Sequence, residues 1–392
     1  MNTELKIHKY ASADDTELRS LELDINSSKV VTPVKALITK DFYKDTIFPK
    51  DLSFIGELFF RFNDETIKRM SEDKNYSNAK NNEARKSKLK IYNCPQMCIT
   101  EFKNKEEFAR YPTEMELDTL INIAYSFSDI TPIPCIPKIA RTITLDNFED
   151  FLAYLQQSYD KIQLHNKKKI LGYIPVLPPL FMNKLIDFYI GLDTGINAFY
   201  LDLDGKMIHS NLTDIDALKR RLAKHGYEEN NFLHFINVNY GKAINDQEVL
   251  SARDLLAFGH GLDSLGGNHS GPKRNPQFYK WLQENKDILN NSRRLLSIND
   301  YGYYRWNMLG QQADEIYPKD ALVPISAIKS APTSRVDRTI KIINLQQQSK
   351  EAIRLQLLTN EQQKNTLGYF KSKKNVKQED IKALGKRGAK ST

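Results

Sequence analysis

The chain has 392 residues, with 57 Lys and Arg against 49 Asp and Glu, which gives a formal net charge of +8. Hydrophobic residues make up 40% of the chain, so it can bury a core and is not a globally disordered protein. It has three cysteines, no apolar stretch near 18 residues and no apolar signal segment at its start, which predicts a cytoplasmic protein without membrane helices or a disulfide scaffold.

The first third of the chain contains two β-rich runs and one basic segment. Residues 1–29 are polar and are predicted to be a lead-in. Strands are predicted over residues 30–38 and 52–62, where β-branched and aromatic residues dominate. Residues 68–90 hold eight Lys and Arg and almost no apolar side chains, so we predict an exposed basic loop there.

From residue 89 onward, predicted strands alternate with predicted helices. Helical spacing of apolar residues indicates helices over 114–125, 146–162, 181–192, 213–225 and 275–289. Short apolar runs indicate strands over 89–91, 138–143, 169–175, 196–202, 232–238, 254–259 and 295–298.

This alternation is typical of βα units, and near-continuous apolar strands are expected when helices cover both faces of a parallel sheet. No glycine-rich dinucleotide fingerprint follows the first strand, which argues against a Rossmann fold. The sequence therefore predicts an α/β protein, a (β/α)₈ TIM-type barrel over residues 30–339.

Residues 340–392 are predicted to form a helical, basic C-terminal tail. The segment 341–392 holds 12 Lys and Arg and 4 acidic residues, so it accounts for the whole net charge, and the remaining chain is balanced. Such a tail suits a polyanionic partner, and it is equally what a solvated terminus looks like.

In a parallel barrel, the carboxyl ends of the strands and the loops after them carry function, and this rule selects the candidate residues. Polar residues follow four predicted strands in a row. They are Asp202, Asp204, Asn237, Asn239, His260, Asp263, Asn268, His269, Asn299 and Asp300. Amides, carboxylates and imidazoles at neighbouring strand ends favour a catalytic site.

The richest segment is residues 259–274, which contains five glycines, among them Gly266 and Gly267. Glycines let the backbone approach a ligand closely, and Lys273 and Arg274 near the start of the next helix would favour an anion such as a phosphodiester. An ordinary glycine-rich connection is the alternative. His234, His260, His269 and Asp202 lack any known metal-ligand spacing, and Cys94 and Cys98 lack a third cysteine nearby, so we predict neither a metal nor a cofactor.

The run Ala257-Phe258-Gly259-His260-Gly261-Leu262-Asp263-Ser264-Leu265-Gly266 resembles a strand and loop of the tRNA-guanine transglycosylases. Residues 170–175 and the Thr32-Pro33 strand are similar to two earlier barrel strands of that family. The resemblance covers roughly residues 30–300. The family's Asp-Ser-Gly-Gly-Phe-Gln motif and its zinc motif are absent, and Gly266 stands where the family has its nucleophilic Asp.

The resemblance implies a (β/α)₈ enzyme that exchanges guanine for a 7-deazaguanine base in DNA or tRNA through a covalent bond to an Asp. In a divergent, zinc-less relative, Asp263 would replace the nucleophile and Asp202 would position the base. Substrate would be bound by His260, His269, Asn268, Asn237, Gly266, Gly267, Lys273 and Arg274. The resemblance leaves open partner proteins or a homodimer.

Two other functions fit the same residues. One is a barrel hydrolase or lyase for a small phosphorylated or sugar substrate, with an incidental tail. The other is a non-catalytic nucleic-acid-binding component, whose binding would depend strongly on salt.

Overall fold

The computed structural model describes residues 5–26, 28–38, 54–88, 94–103, 109–165, 168–193, 195–239, 248–270, 277, 280, 284, 293–330, 333–361 and 365–385. The strands are β1 Leu5–Ser12, β2 Arg19–Ile25, β3 Ser28–Val31, β4 Val34–Ile38, β5 Ile55–Phe62, β6 Gln96–Phe102, β7 Thr131–Pro132, β8 Ile170–Pro175, β9 Ala198–Asp202, β10 Phe232–Ile236, β11 Val249–Ser251, β12 Ser264–Leu265, β13 Arg294–Ser297 and β14 Gly302–Arg305.

The α-helices are α1 Asp64–Glu72, α2 Lys74–Lys88, α3 Glu114–Phe127, α4 Pro137–Ala140, α5 Phe148–Gln163, α6 Pro179–Gly191, α7 Leu212–Lys224, α8 Leu256–Gly259, α9 Ala313–Ile316, α10 Ile325–Lys329, α11 Thr333–Glu361, α12 Thr366–Lys371 and α13 Gln378–Leu384. Short 3-10 helices occupy Ile208–Asn211, Trp306–Met308 and Gly310–Gln312.

The predicted (β/α)₈ barrel is confirmed. Within the described chain, eight strands form one sheet in the order β6-β5-β4-β12-β10-β9-β8-β7, and every pairing between them is parallel. The ring closes between β6 and the residues after β7, because the N–H of Cys135 donates to the carbonyl of Thr100 at 2.8 Å. All residues of β8, β9 and β10 are buried, as expected for a sheet covered on both faces.

Strand order along this ring follows chain order, so the carboxyl ends of all the barrel strands meet at one end. Helices α3, α5, α6 and α7 lie outside the strands and turn an apolar face to them. In α5 this face includes Phe148, Phe151 and Leu155, the helical spacing that the sequence predicted.

The lead-in predicted for residues 1–29 is a folded part of the molecule. Strands β1, β2 and β3 form an antiparallel sheet among the described residues. It lies against the amino ends of the barrel strands, since Arg19 in β2 binds Asp263, the residue that precedes β12. This sheet covers the end of the barrel opposite the carboxyl ends of the strands.

Several local predictions are wrong. The described part of the basic segment 68–90 is helical, in α1 and α2, because Ile67, Met70 and Ala84 are buried and anchor the two helices. Residues 138–143 contain the end of α4, and residues 254–259 contain α8, instead of strands. The predicted strand at 89–91 lies outside the described residues, as does nearly all of the predicted helix at 275–289.

The strand predicted at 295–298 exists as β13, but it is not a barrel strand. It pairs antiparallel with β14, which pairs antiparallel with β11. Asn299 and Asp300 lie in the turn between β13 and β14, so they are removed from the barrel's carboxyl end. The hydroxyl of Tyr304 donates to Asp300 within this small sheet.

The C-terminal region is helical, as predicted, but it is not a separate tail from residue 340. Helix α11 begins at Thr333, and its Gln356 donates to the carbonyls of Val31 and Pro33 at 2.8 Å. Phe370 and Leu384, in α12 and α13, belong to the main hydrophobic core. Both lie against Gly259, on the side of the barrel that the N-terminal sheet covers.

None of the helices in the described ranges combines the length and the apolar character that a membrane crossing requires.

Candidate active site

The candidate residues divide between the two ends of the barrel. Asp202, Asn237, Gly266, Gly267, Asn268 and His269 lie at or after the carboxyl ends of β9, β10 and β12. His260 and Asp263 precede β12 and lie at its amino end. Lys273 and Arg274 lie outside the described residues. The expectation that the candidates share one pocket is therefore wrong for His260 and Asp263.

Asp263 is completely buried and is engaged on both carboxylate oxygens. The Arg19 guanidinium donates to Oδ1 at 2.8 Å and to Oδ2 at 2.6 Å, and the backbone N–H of Leu233 donates to Oδ2 at 2.8 Å. With three donors on its two oxygens and no exposed surface, Asp263 offers no oxygen that a substrate carbon could reach. Asp263 ties the N-terminal sheet to the amino ends of β10 and β12.

His260 has a similar structural place. It caps the C-terminus of α8, and its backbone carbonyl accepts a hydrogen bond from the Lys219 ammonium. It lies at the end of the barrel remote from Asp202, so it is separated from the candidates at the carboxyl ends of the strands.

Asp202 ends β9 and is 4% exposed. The Asn237 amide donates to its Oδ1 at 2.6 Å, and the backbone N–H of Asp204 donates to the same oxygen at 2.9 Å. No residue in the described ranges donates to Oδ2. Burial raises the pKa of Asp202 despite these two hydrogen bonds, and the negative charge of Glu101 adds to the rise. Asp202 is thus a buried carboxyl group with one oxygen unoccupied.

Asn237 holds the loops around Asp202 in place. Its backbone adopts the left-handed region, with φ of +57°, which asparagine tolerates better than most residues. Its side-chain oxygen accepts from the N–H groups of His269 at 2.6 Å and Ser270 at 2.8 Å. Asn237 therefore connects Asp202 with the segment after β12, and this orients the carboxylate.

A further polar group near Asp202 comes from β8. The Tyr173 hydroxyl is buried and has no hydrogen-bond partner among the described residues. Burial raises the pKa of Tyr173 well above its usual value, and the charge of Asp202 is the next cause. A buried hydroxyl without a partner costs about 1–3 kcal/mol, so this group is poised to donate to a bound molecule.

Sequence reasoning missed a buried network around Glu57 in β5. Glu57 is fully buried, and its carboxylate contacts His234 Nε2 at 2.8 Å and His269 Nε2 at 2.5 Å. His234 Nδ1 lies 3.0 Å from the Ser264 hydroxyl. Burial alone would raise the pKa of Glu57, but His269 and His234 outweigh it and hold the pKa well below its usual value.

The Glu57 network explains why residues 266 and 267 of the glycine-rich segment 259–274 are glycines. A Cβ on Gly266 would come within 2.2 Å of Glu57 Oε2, and a Cβ on Gly267 would come within 2.4 Å of Ile38. The N–H of Gly267 also donates to Glu57 Oε1 at 2.9 Å. The glycines make room for the Glu57 network, which is a different role from the predicted contact with substrate. Asn268 is exposed and accepts from the Ser270 hydroxyl at 2.8 Å.

Two arginine–carboxylate pairs border Asp202. Arg61, at the end of β5, donates to Glu101 Oε1 at 2.7 Å and Oε2 at 2.8 Å, and it also reaches the His269 carbonyl at 3.1 Å. Arg141 binds Asp204 in the same bidentate manner. Both guanidinium groups remain partly exposed, so a ligand at this end would meet fixed positive charge.

Chemically, this end of the barrel offers a protonatable carboxyl group, a hydroxyl donor and an ion-paired carboxylate. We call the cluster of polar side chains at this end the barrel mouth. It consists of Glu57, Arg61, Glu101, Tyr173, Asp202, Asn237 and His269. Cys135 lies beside it, but burial raises the pKa of its thiol well above the usual value, so a thiolate nucleophile is disfavoured. The described residues contain no group of three or more His, Cys, Asp or Glu side chains placed to hold a metal ion.

One feature of the sequence could have identified Glu57, Glu101 and Tyr173 as candidates. Each is a polar residue inside an otherwise apolar strand, at the alternate positions that face the barrel interior. The fold and mouth define a (β/α)₈ barrel with a polar cluster at its carboxyl end. Comparison with protein-family models and with curated proteins found no match for this chain.

Proposed function

We propose that the protein is an enzyme that exchanges a base in DNA or tRNA at the barrel mouth, with Asp202 as the reacting acid. The observation that carries the proposal is Asp202 itself, a buried carboxyl group with a raised pKa and an unoccupied Oδ2. A raised pKa favours the protonated form of such a group, and that is the form that can deliver a proton to a leaving group. The resemblance to tRNA-guanine transglycosylases supplies the reaction class, the exchange of guanine for a 7-deazaguanine.

Two carboxylates in different environments support this chemistry. Burial favours the protonated form of Asp202, whereas Arg61 holds Glu101 in a bidentate ion pair. One carboxyl group that donates a proton and one that carries negative charge are the pair needed to break a bond at an anomeric carbon. Asp263 takes no part in this proposal, because it lies at the amino end of β12 and is completely buried.

In the proposed first step, an oxygen of Glu101 bonds to the sugar C1′ while the C1′–N bond to the leaving base breaks. The electron pair of that bond goes to the base nitrogen, which takes the proton from Asp202. In the second step a nitrogen of the incoming base attacks C1′, and the C1′–O bond to Glu101 breaks, with its electron pair returning to the Glu101 carboxylate. Asp202 takes back a proton from the N–H group of the incoming base. The Tyr173 hydroxyl donates to a carbonyl of the bound base.

A second candidate function is a hydrolase or lyase for a small phosphorylated or sugar substrate. One observation favours it: α12 and α13, the last described elements of the basic C-terminal segment, pack near Gly259 at the end remote from Asp202. The charge of these two helices therefore does not border the barrel mouth. With water in place of the incoming base, the same two carboxyl groups would hydrolyse a glycoside.

The test is incorporation of a labelled 7-deazaguanine, and of labelled guanine, into duplex DNA and into tRNA. We expect incorporation by the wild type, and none by the Asp202→Asn or Glu101→Gln variants. Absence of incorporation into both polymers, with release of base from a small nucleoside, would favour the hydrolase. Salt-dependent binding without either reaction would indicate the non-catalytic component.

A further inference from the structure

A surface groove of about 260 Å³ runs between α6 and α7. Its walls are Pro179 and Asn183 of α6 and Ala217, Arg220, Arg221 and Lys224 of α7. Three of these side chains are cationic, and no carboxylate of the described residues lines the groove. An anion would therefore enter without meeting a like charge on its walls.

Two of the cations have no partner within the described chain. Arg221 binds Asp187, and that carboxylate is shared with His225. By contrast, Arg220 and Lys224 are exposed and form no hydrogen bond or ion pair with a described residue. They are four residues apart on one helix, so they lie on the same face, with Cβ atoms roughly 6 Å apart.

The groove lies outside the barrel wall that carries Asp202. Helix α6 follows β8 and α7 follows β9, and these strands pair in register. Arg220 and Lys224 lie in the last turns of α7, which runs back toward the amino ends of the strands. Arg220 also lines a second cavity of about 300 Å³, together with Lys9, Arg19 and Lys219. That cavity contains Glu17, Glu228 and Glu229 as well, so its charges are largely balanced. The groove between α6 and α7 differs in having no carboxylate among its lining residues.

We propose that this groove binds a backbone phosphate of the polynucleotide, through Arg220 and Lys224. The inference rests on the proposed function, since it assigns a contact to the substrate class proposed there. Arginine binds phosphate through two parallel N–H donors, and lysine adds a compact point charge. Asn183, half-buried on the facing helix, adds a neutral donor. Contacts of this kind position the polymer and do not read its sequence.

The experiment is fluorescence anisotropy of a labelled duplex DNA and of a labelled tRNA, over a salt series. The test variant is Arg220→Gln/Lys224→Gln. The matched control is Lys371→Gln/Lys374→Gln, which removes two exposed cations of α12 and the residues after it, outside the lining of the groove. Circular dichroism melting verifies that both variants remain folded.

We expect the Arg220→Gln/Lys224→Gln variant to bind about tenfold more weakly, because two phosphate contacts are lost. The slope of log affinity against log salt should become shallower by about two for duplex DNA. The control should bind as the wild type does. Equal affinity and slope for the groove variant and the wild type would overturn the inference.

The outcomes separate this inference from the proposed function. If the groove variant binds normally and the wild type exchanges bases, the phosphate site is elsewhere and the proposed function stands. If the wild type neither binds nor modifies DNA or tRNA, both fail. If the groove variant binds weakly and Asp202→Asn binds normally but exchanges nothing, both are supported.

Discussion

The two ends of the barrel each hold a buried aspartate, and the two differ in how completely they are bonded. Asp263, at the amino end of β12, accepts hydrogen bonds on both oxygens, from Arg19 and from Leu233. Asp202, at the carboxyl end of β9, accepts hydrogen bonds from described residues on one oxygen alone. Both side chains are buried, but only Asp202 retains an oxygen without a hydrogen bond from a described residue.

The difference teaches how to separate a structural carboxylate from a reactive one. A buried ion pair with full hydrogen bonding fixes the position of the chain, and breaking it costs stability. A buried carboxylate with an unoccupied oxygen and a raised pKa costs stability where it is and is available for proton transfer. Substitutions at the two ends should therefore affect different properties.

The largest effect is expected at the barrel mouth. Asp202→Asn keeps the shape of the side chain and removes its proton, so base exchange should fall about 10²- to 10⁴-fold. Stability at neutral pH should stay level or rise, because a buried carboxylate with a raised pKa is lost. The checks are a single-turnover exchange assay and urea unfolding. Normal exchange by a folded variant would remove Asp202 from the mechanism.

The next effect is expected at the amino end. Asp263→Asn leaves the Arg19 guanidinium without its buried partner, and the free energy of unfolding should fall by about 3 kcal/mol. Exchange by the folded fraction should remain. The control is Asp204→Asn, which breaks the more exposed pair with Arg141 and should cost less than about 1 kcal/mol. Equal losses in the two variants would contradict the distinction between the two ends.

A smaller effect is expected from the Glu57 network, and it depends on pH. His269 and His234 hold the folded-state pKa of Glu57 well below the unfolded value of about 4.3, so its stabilisation is present above that pH. It is lost as pH falls through the folded pKa. Urea unfolding of Glu57→Gln between pH 3 and 7 should give lower stability at neutral pH and a flatter acid limb. If the free energy of unfolding falls with decreasing pH as steeply in Glu57→Gln as in the wild type, Glu57 is not the group whose protonation causes the fall.

The smallest effect is expected at the glycines. Gly266→Ala should lower the free energy of unfolding by about 1–3 kcal/mol, because the added Cβ overlaps Glu57 and His234. Gly191→Ala is the control, since a Cβ there meets nothing within 4 Å. Thermal melting of both variants measures the difference. A Gly266→Ala variant as stable as Gly191→Ala would mean that the Glu57 network accommodates the added Cβ without loss of stability.

The fold was predictable because most barrel strands are long apolar runs with helices between them. Three barrel strands were not predicted: Thr100 and Glu101 interrupt the apolar run of β6, and β7 and β12 have only two residues each. The last strand, β12, also lies within a glycine-rich segment, where no apolar run marks it. Placing that strand at 254–259 put His260 and Asp263 after it, whereas they precede the actual strand. The strand-end rule was sound for Asp202 and Asn237, whose strands were located correctly.

The rest of the candidate site could not be read from strand ends. Glu57, Glu101 and Tyr173 face the interior from within β5, β6 and β8, and only the closed ring brings them near Asp202 and His269. The basic C-terminal segment could not be placed either, since its charge does not disclose that Phe370 and Leu384 anchor it beside Gly259. Its position separates the charge of α12 and α13 from the barrel mouth.

The most direct test of the account is incorporation of a labelled 7-deazaguanine into DNA and tRNA by three proteins: the wild type, Asp202→Asn and Asp263→Asn. All three are assayed at a temperature at which circular dichroism shows each to be folded. The account predicts incorporation by the wild type and by Asp263→Asn, and none by Asp202→Asn. Incorporation by Asp202→Asn at the wild-type rate, or its loss in folded Asp263→Asn alone, would contradict a reaction site at the barrel mouth.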